Sequence, residues 1–145
     1  MNSDFEELLS VFNRNGVKYL IVGGHAVMLY TEPRYTKDLD IWIEASEENA
    51  SRTFRALAEF GAPLTDLKPE DFAREGFFYQ LGQPPARVDI LMSIEGVTFE
   101  EAWPNRSECV LGGRHVWFIG RSDLIKNKRA AKRHIDLHDL DLLGG

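Results

Sequence analysis

The spacing of apolar residues changes period several times along the chain, and each change marks an element. Ser3 and Glu6 read as a capping box. Phe5, Leu8, Leu9 and Phe12 then recur at helical spacing until Gly16, which predicts a helix from Asp4 to Asn15. Tyr19 to Val22 (YLIV) is a short apolar run expected to form a buried strand. After Gly23 and Gly24, HAVMLY predicts a short helix that Pro33 ends by disfavouring helix at Glu32. Asp38 to Glu44 (DLDIWIE) alternates, with Leu39, Ile41 and Ile43 on one face and Asp38, Asp40, Trp42 and Glu44 on the other.

Ser46 can cap a helix from Glu47 to Phe60, which Gly61 ends. Pro69 to Arg74 reads as a short helix begun by proline. Phe77 to Leu81 and Arg87 to Met92 read as strands. Glu108 to Leu111 and His115 to Ile119 flank Gly112-Gly113, a hairpin signal. Ser122 can cap a helix to about Arg133, and a last helix runs from about Ile135 to Leu143. The order predicts a mixed α/β (α+β) domain without the regular strand–helix alternation of a doubly wound sheet.

Composition narrows the class. The 145 residues are 43% apolar and 28% charged, globular proportions that fit one domain over residues 1–145. No apolar run approaches the roughly 18 to 20 residues of a membrane helix. From the acidic, amphipathic start MNSDFEELL no signal peptide is expected, and a lone cysteine, Cys109, points to a reducing cytoplasm. The net charge of −6 argues against wholesale coating of nucleic acid. Yet Arg121, Lys126, Lys128, Arg129, Lys132 and Arg133 crowd the stretch before His134, so any polyanion site is expected there.

Three features carry candidate chemistry. Gly23-Gly24 lies between a strand and a helix, where it is either a plain tight turn or a seat for phosphate on the helix N-terminus. Asp38 and Asp40 share a strand face with Cβ atoms roughly 6 to 7 Å apart, either solvated or converging on hard cations. Asp89 in RVDIL shares a face with Arg87 and is flanked by apolar residues. Burying it demands a partner, which a metal or Arg87 would supply, unless it stands at an ordinary edge position.

An apolar strand, a glycine pair, a spacer covering residues 25–37, then Asp38-x-Asp40 and a later strand bearing Asp89 resembles the DNA polymerase β-type nucleotidyltransferase superfamily. The stretches YLIVGGHAVMLYTEPRYTKDLDIWIE and DLIKNKRAAKRHIDLHDLDLL look like the small stand-alone bacterial members near the abortive-infection nucleotidyltransferase toxins. Many members carry Gly-Ser where this chain has Gly-Gly-His. His25 either replaces the lost hydroxyl contact or is a capped, partly exposed histidine.

The resemblance implies transfer of a nucleotide monophosphate from an NTP, ATP included, to an acceptor hydroxyl, with release of pyrophosphate. Asp38, Asp40 and Asp89 would hold two Mg2+ ions, or Mn2+, and carry the catalysis. Gly23, Gly24, His25, Arg34, Thr36, Lys128 and Lys132 are the expected nucleotide-binding residues. Arg34 offers a guanidinium fork and Thr36 a hydroxyl. Lys128 and Lys132 are expected one turn apart on a helix face, either solvated or clamping a triphosphate or RNA backbone. Asp136, Asp139 and Asp141 are expected to pair with nearby bases or to cap helices.

A chain of this length leaves little room for separate acceptor recognition. The acceptor is therefore a small molecule, or a protein or tRNA or other RNA read with the help of a homodimer or partner protein. The competing reading is a catalytically silent protein of this fold that binds nucleotide, RNA or a protein partner. His115, His134 and His138 have no zinc spacing, and neither a P-loop nor a Gly-x-Ser-x-Gly motif occurs.

Overall fold

A computed structural model describes residues 3–34, 38–83 and 86–145. The helices are α1 (Ser3–Arg14), α2 (Gly23–Tyr30), α3 (Glu47–Phe60), α4 (Phe99–Ala102), α5 (Arg121–Ala131) and α6 (His134–Leu143). The strands are β1 (Tyr19–Val22), β2 (Asp38–Ile43), β3 (Phe78–Leu81), β4 (Arg87–Leu91), β5 (Ser107–Leu111) and β6 (Arg114–Phe118). They form one six-stranded mixed sheet in the order β3-β4-β2-β1-β6-β5. The pairs β2–β4 and β1–β6 are parallel; the other neighbours are antiparallel. No helix among the described residues is long and apolar enough to cross a membrane.

Register partners point to the same side of a sheet, so the pairing sorts every side chain by face. One face carries Tyr19, Ile21, Leu39, Ile41, Ile43, Val88 and Ile90. This face is roofed by α1 and α3: Phe12 meets the Tyr19 ring edge-on, and Phe72 bridges Phe54 and Tyr79. The other face carries Leu20, Val22, Asp38, Asp40, Trp42, Arg87, Asp89 and Leu91. Trp42 at its far end packs against Phe99 of α4, while α2 joins β1 and β2 to α5 and α6 at the carboxylate end.

The buried Asn49 ties the first turn of α3 to this sheet. Its amide nitrogen donates to the carbonyls of Lys18 and Glu44 at 3.0 and 2.9 Å, and its oxygen accepts from Lys18 N–H at 2.8 Å. Asn49→Ala removes the partner of the Lys18 N–H and the side-chain donor to the Glu44 carbonyl, while the Lys18 carbonyl keeps the Glu44 N–H, and is expected to cost about 2 kcal/mol. A denaturant titration reads this as a lower midpoint, and an unchanged midpoint would contradict it.

Some expectations need correction. Ser122 does not cap α5. The helix begins at Arg121 behind Gly120, whose added Cβ would lie 2.4 Å from the Asn105 carbonyl oxygen. Asp123 in the first turn accepts instead from Asn105. The same helix stops at Ala131, before Arg133, because Lys132 takes a left-handed conformation at φ 56°. The short α4, with its Thr98–Glu101 capping box, is an element the hydrophobic pattern does not predict.

Candidate active site

Parallel pairing of β2 with β4 brings two distant aspartates together. Asp40 and Asp89 are register partners, with Val22 next to Asp40 on β1 and Gln80 next to Asp89 on β3. One residue pair earlier on the same face, Asp38 stands two residues before Asp40, and Arg87 two before Asp89. Three carboxylates from two strands thus share one end of one face.

Gly23 forms the wall of this cluster. Its φ of +66° is open to glycine, and a Cβ there would lie 2.1 Å from Asp40 Oδ2. The glycine is required twice, by the turn from β1 into α2 and by the close approach of the Asp40 carboxylate. Gly24 follows in the first turn of α2.

The electrostatics are uneven. Burial, then the neighbouring Asp89 and Asp38 charges, push the Asp40 carboxyl up to about 7, partly opposed by Lys128. Arg87 stands between the other two carboxylates. Its Nη2 lies 3.4 Å from Asp38 Oδ2 and 3.5 Å from Asp89 Oδ2. The second oxygens, Asp38 Oδ1 and Asp89 Oδ1, are buried without a hydrogen-bond partner, as is Arg87 Nε. Arg87 was legible in the sequence only as one of two possible partners of Asp89.

The other expected residues divide into three groups. His25 is beside the carboxylates in the first turn of α2. Burial lowers its pKa, so the ring is neutral near pH 7; it contacts the Asp38 backbone and meets Phe5 edge-on at 5.8 Å. Thr36 lies outside the described residues. Arg34, Lys128 and Lys132 do not form the phosphate-facing set that helical spacing suggests.

Lys128 is 4% exposed and places Nζ 3.1 Å from Asp136 and 3.2 Å from Asp139. Arg34 holds the other side of Asp139, and Arg133 caps α6 through Asp136. Burial disfavours the Asp136 charge, but hydrogen bonds from Arg133 and Lys128 outweigh it and lower its pKa. Lys132 is the left-handed C-cap of α5, its N–H bonded to the Lys128 carbonyl, and it is exposed where Lys128 is buried, so the two ammonium groups do not form one clamp. The cluster Arg34–Asp139–Lys128–Asp136–Arg133 packs α5 and α6 against the loop before β2, and its sequence signal was the Asp136/Asp139 spacing on α6.

The donor set suits hard divalent cations. Three carboxylates converge, two buried oxygens lack partners, and the mutual repulsion of the set is relieved by positive charge. As they stand, no three His, Cys, Asp or Glu groups among the described residues form a ready-made metal cage. Arg87 draws on two of the three carboxylates. Two residues beyond Asp40 on the same face, Trp42 lines a cavity of about 680 Å³ with Phe99, Trp103, Lys18, Glu44 and Glu100.

Residues 2–142 match the family described as "Nucleotidyltransferase of unknown function (DUF6036)". No curated protein matches the sequence. Among solved structures, the chain is similar to the lincomycin-bound lincosamide antibiotic adenylyltransferase LnuA: 14% identity and TM-score 0.63, covering 100% of this chain and 97% of that one. It is also similar to ANT(2")-Ia in complex with adenylyl-2"-tobramycin, at 16% identity and TM-score 0.62, covering 96% and 84% of the two chains. A nucleotidyltransferase-like protein from Paracoccidioides brasiliensis aligns with TM-score 0.54 at 16% identity, covering 95% and 75%. At these identities the likeness shows the nucleotidyltransferase fold.

Proposed function

We propose that this chain, which belongs to the DUF6036 nucleotidyltransferases, transfers a nucleoside monophosphate from an NTP to a hydroxyl of a small acceptor. The acceptor oxygen bonds to the α-phosphorus, the α–β phosphoanhydride breaks, and pyrophosphate leaves with the bond's electron pair. The observation that carries the reading is the row formed by Asp40 and Asp89, with Asp38 beside it and Gly23 closed onto Asp40.

Asp38, Asp40 and Asp89 would hold the divalent cations, Mg2+ or Mn2+, which polarise the phosphate and acidify the attacking hydroxyl. Asp89 takes up the hydroxyl proton. Gly23 and Gly24 let the triphosphate approach the first turn of α2, where unpaired N–H groups point outward. His25, neutral, offers a ring hydrogen bond at the same turn.

Two observations favour a small acceptor over RNA. Lys128 is buried and neutralised by Asp136 and Asp139, and Arg133 pairs with Asp136, which reduces the basic charge left for an RNA backbone. Of the structural neighbours named above, LnuA is an adenylyltransferase bound to lincomycin and ANT(2")-Ia is bound to adenylyl-2"-tobramycin, which also makes ATP the first donor to try. The single cysteine keeps a reducing cytoplasm as the proposed compartment.

Calorimetry with Mg2+ and a non-hydrolysable ATP analogue tests the site. Binding is expected for the wild type and lost in the double variant Asp38→Asn/Asp40→Asn. Equal binding by both proteins would sink the assignment.

A further inference from the structure

We propose that Arg87 is an internal counter-cation that competes with divalent cations for Asp38 and Asp89 and passes to the nucleotide phosphates when cations enter. The inference rests on the proposed function and adds to it a coupling between metal and nucleotide.

The register sets the arrangement. Arg87 pairs with Asp38 across β2 and β4 and shares a strand face with Asp89, so its guanidinium reaches both carboxylates. The hold is loose. One nitrogen, Nη2, serves both carboxylates at 3.4 and 3.5 Å, well beyond the roughly 2.7 to 2.9 Å of a strong charge-assisted hydrogen bond. Its Nε is buried and unpartnered, a further sign that the guanidinium is not satisfied where it stands. The side chain is 36% exposed, which leaves it a path outward.

The neighbouring cations are differently placed. Arg34, Lys128 and Arg133 are engaged by Asp136 and Asp139, at distances down to 2.5 Å. Among the described residues, Arg87 is thus the basic group paired with Asp38 and Asp89, while Lys128 acts on Asp40 through its charge. The free oxygens Asp38 Oδ1 and Asp89 Oδ1 are where a cation can first attach.

A cation on those oxygens repels the guanidinium at close range. A cation arriving alone must therefore displace Arg87 into water. One arriving with an NTP gives the displaced guanidinium a triphosphate, which suits its planar fork better than two shared carboxylate oxygens. Arg87 consequently weakens the binding of metal alone and strengthens the binding of metal with nucleotide. By linkage, metal must strengthen nucleotide binding by the same factor.

The test is Mn2+ binding to the full chain, read by electron paramagnetic resonance, with and without a non-hydrolysable ATP analogue. In Arg87→Ala, Mn2+ alone should bind about tenfold more tightly, and the enhancement by nucleotide should shrink by a similar factor. Arg87→Lys, which keeps charge without the fork, should lie between the variant and the wild type. Arg87→Gln, closer in shape, repeats the measurement should the alanine variant fold poorly. Mn2+ affinity unchanged or weakened in both neutral variants, while the wild type binds metal and analogue together, overturns the inference alone. Failure of the wild type to bind Mn2+ even with the analogue overturns the proposed function, and this inference with it.

Discussion

Asp40→Asn is expected to lower nucleotide transfer by about a thousandfold while making the metal-free protein more stable at pH 8. The activity loss follows from removing a charge at the centre of the carboxylate row. The stability gain follows from the same charge. Burial and the neighbouring carboxylates raise the Asp40 pKa from 3.8 to about 7 in the fold. Between those values the folded chain holds more protons than the unfolded chain, so its stability falls as pH rises through that window. Above about 7 the penalty is complete, on the order of a few kcal/mol. Asparagine carries no charge and escapes it.

Melting curves in EDTA should therefore nearly coincide for wild type and variant near pH 4 and separate in the variant's favour toward pH 8. Parallel curves across that range would show that Asp40 is not under strain. A carboxylate cluster that costs stability is also what distinguishes this face from a solvated strand, whose carboxylates would be free to ionise.

Gly23→Ala should damage both fold and chemistry. A left-handed conformation costs a non-glycine residue about 1–2 kcal/mol. The added methyl must also displace the Asp40 carboxylate, since Cβ and Oδ2 would stand 2.1 Å apart. A shift of about 1 Å in a catalytic group lowers turnover by about a hundredfold. Steady-state kinetics and melting temperature should therefore fall together. The two positions should couple: in an Asp40→Ala background the same substitution should destabilise less, because the clashing atoms are gone. Full additivity of the two losses would contradict the close approach.

Much of this site could be read in the sequence, for identifiable reasons. Strand periodicity places Asp38 and Asp40 on one face of one strand and Arg87 with Asp89 on one face of another strand. The glycine pair marks the turn of the nucleotidyltransferase pattern. What periodicity cannot supply is the pairing of β2 with β4, because residues 44–86 intervene and local spacing says nothing about which strands become neighbours. The contact of Arg87 with Asp38 depends on that register. The basic segment misled for a different reason. Its apparent helix face breaks at Lys132, a left-handed residue that is not glycine, and α6 then returns Asp136 and Asp139 onto Lys128. A four-residue helix such as α4 is too short to show a period, although its Thr98–Glu101 capping box was there to find.

The central claim is nucleotide transfer, and one measurement addresses it most directly. The full chain is incubated with Mg2+, each NTP labelled on the α-phosphate in turn, and a fractionated cell extract, while labelled acceptor and released pyrophosphate are quantified together. The account predicts label on a small molecule in equal amount to the pyrophosphate formed, and neither product with Asp38→Asn/Asp40→Asn. Labelling that persists in the double variant, or no labelled product from any NTP, would contradict it.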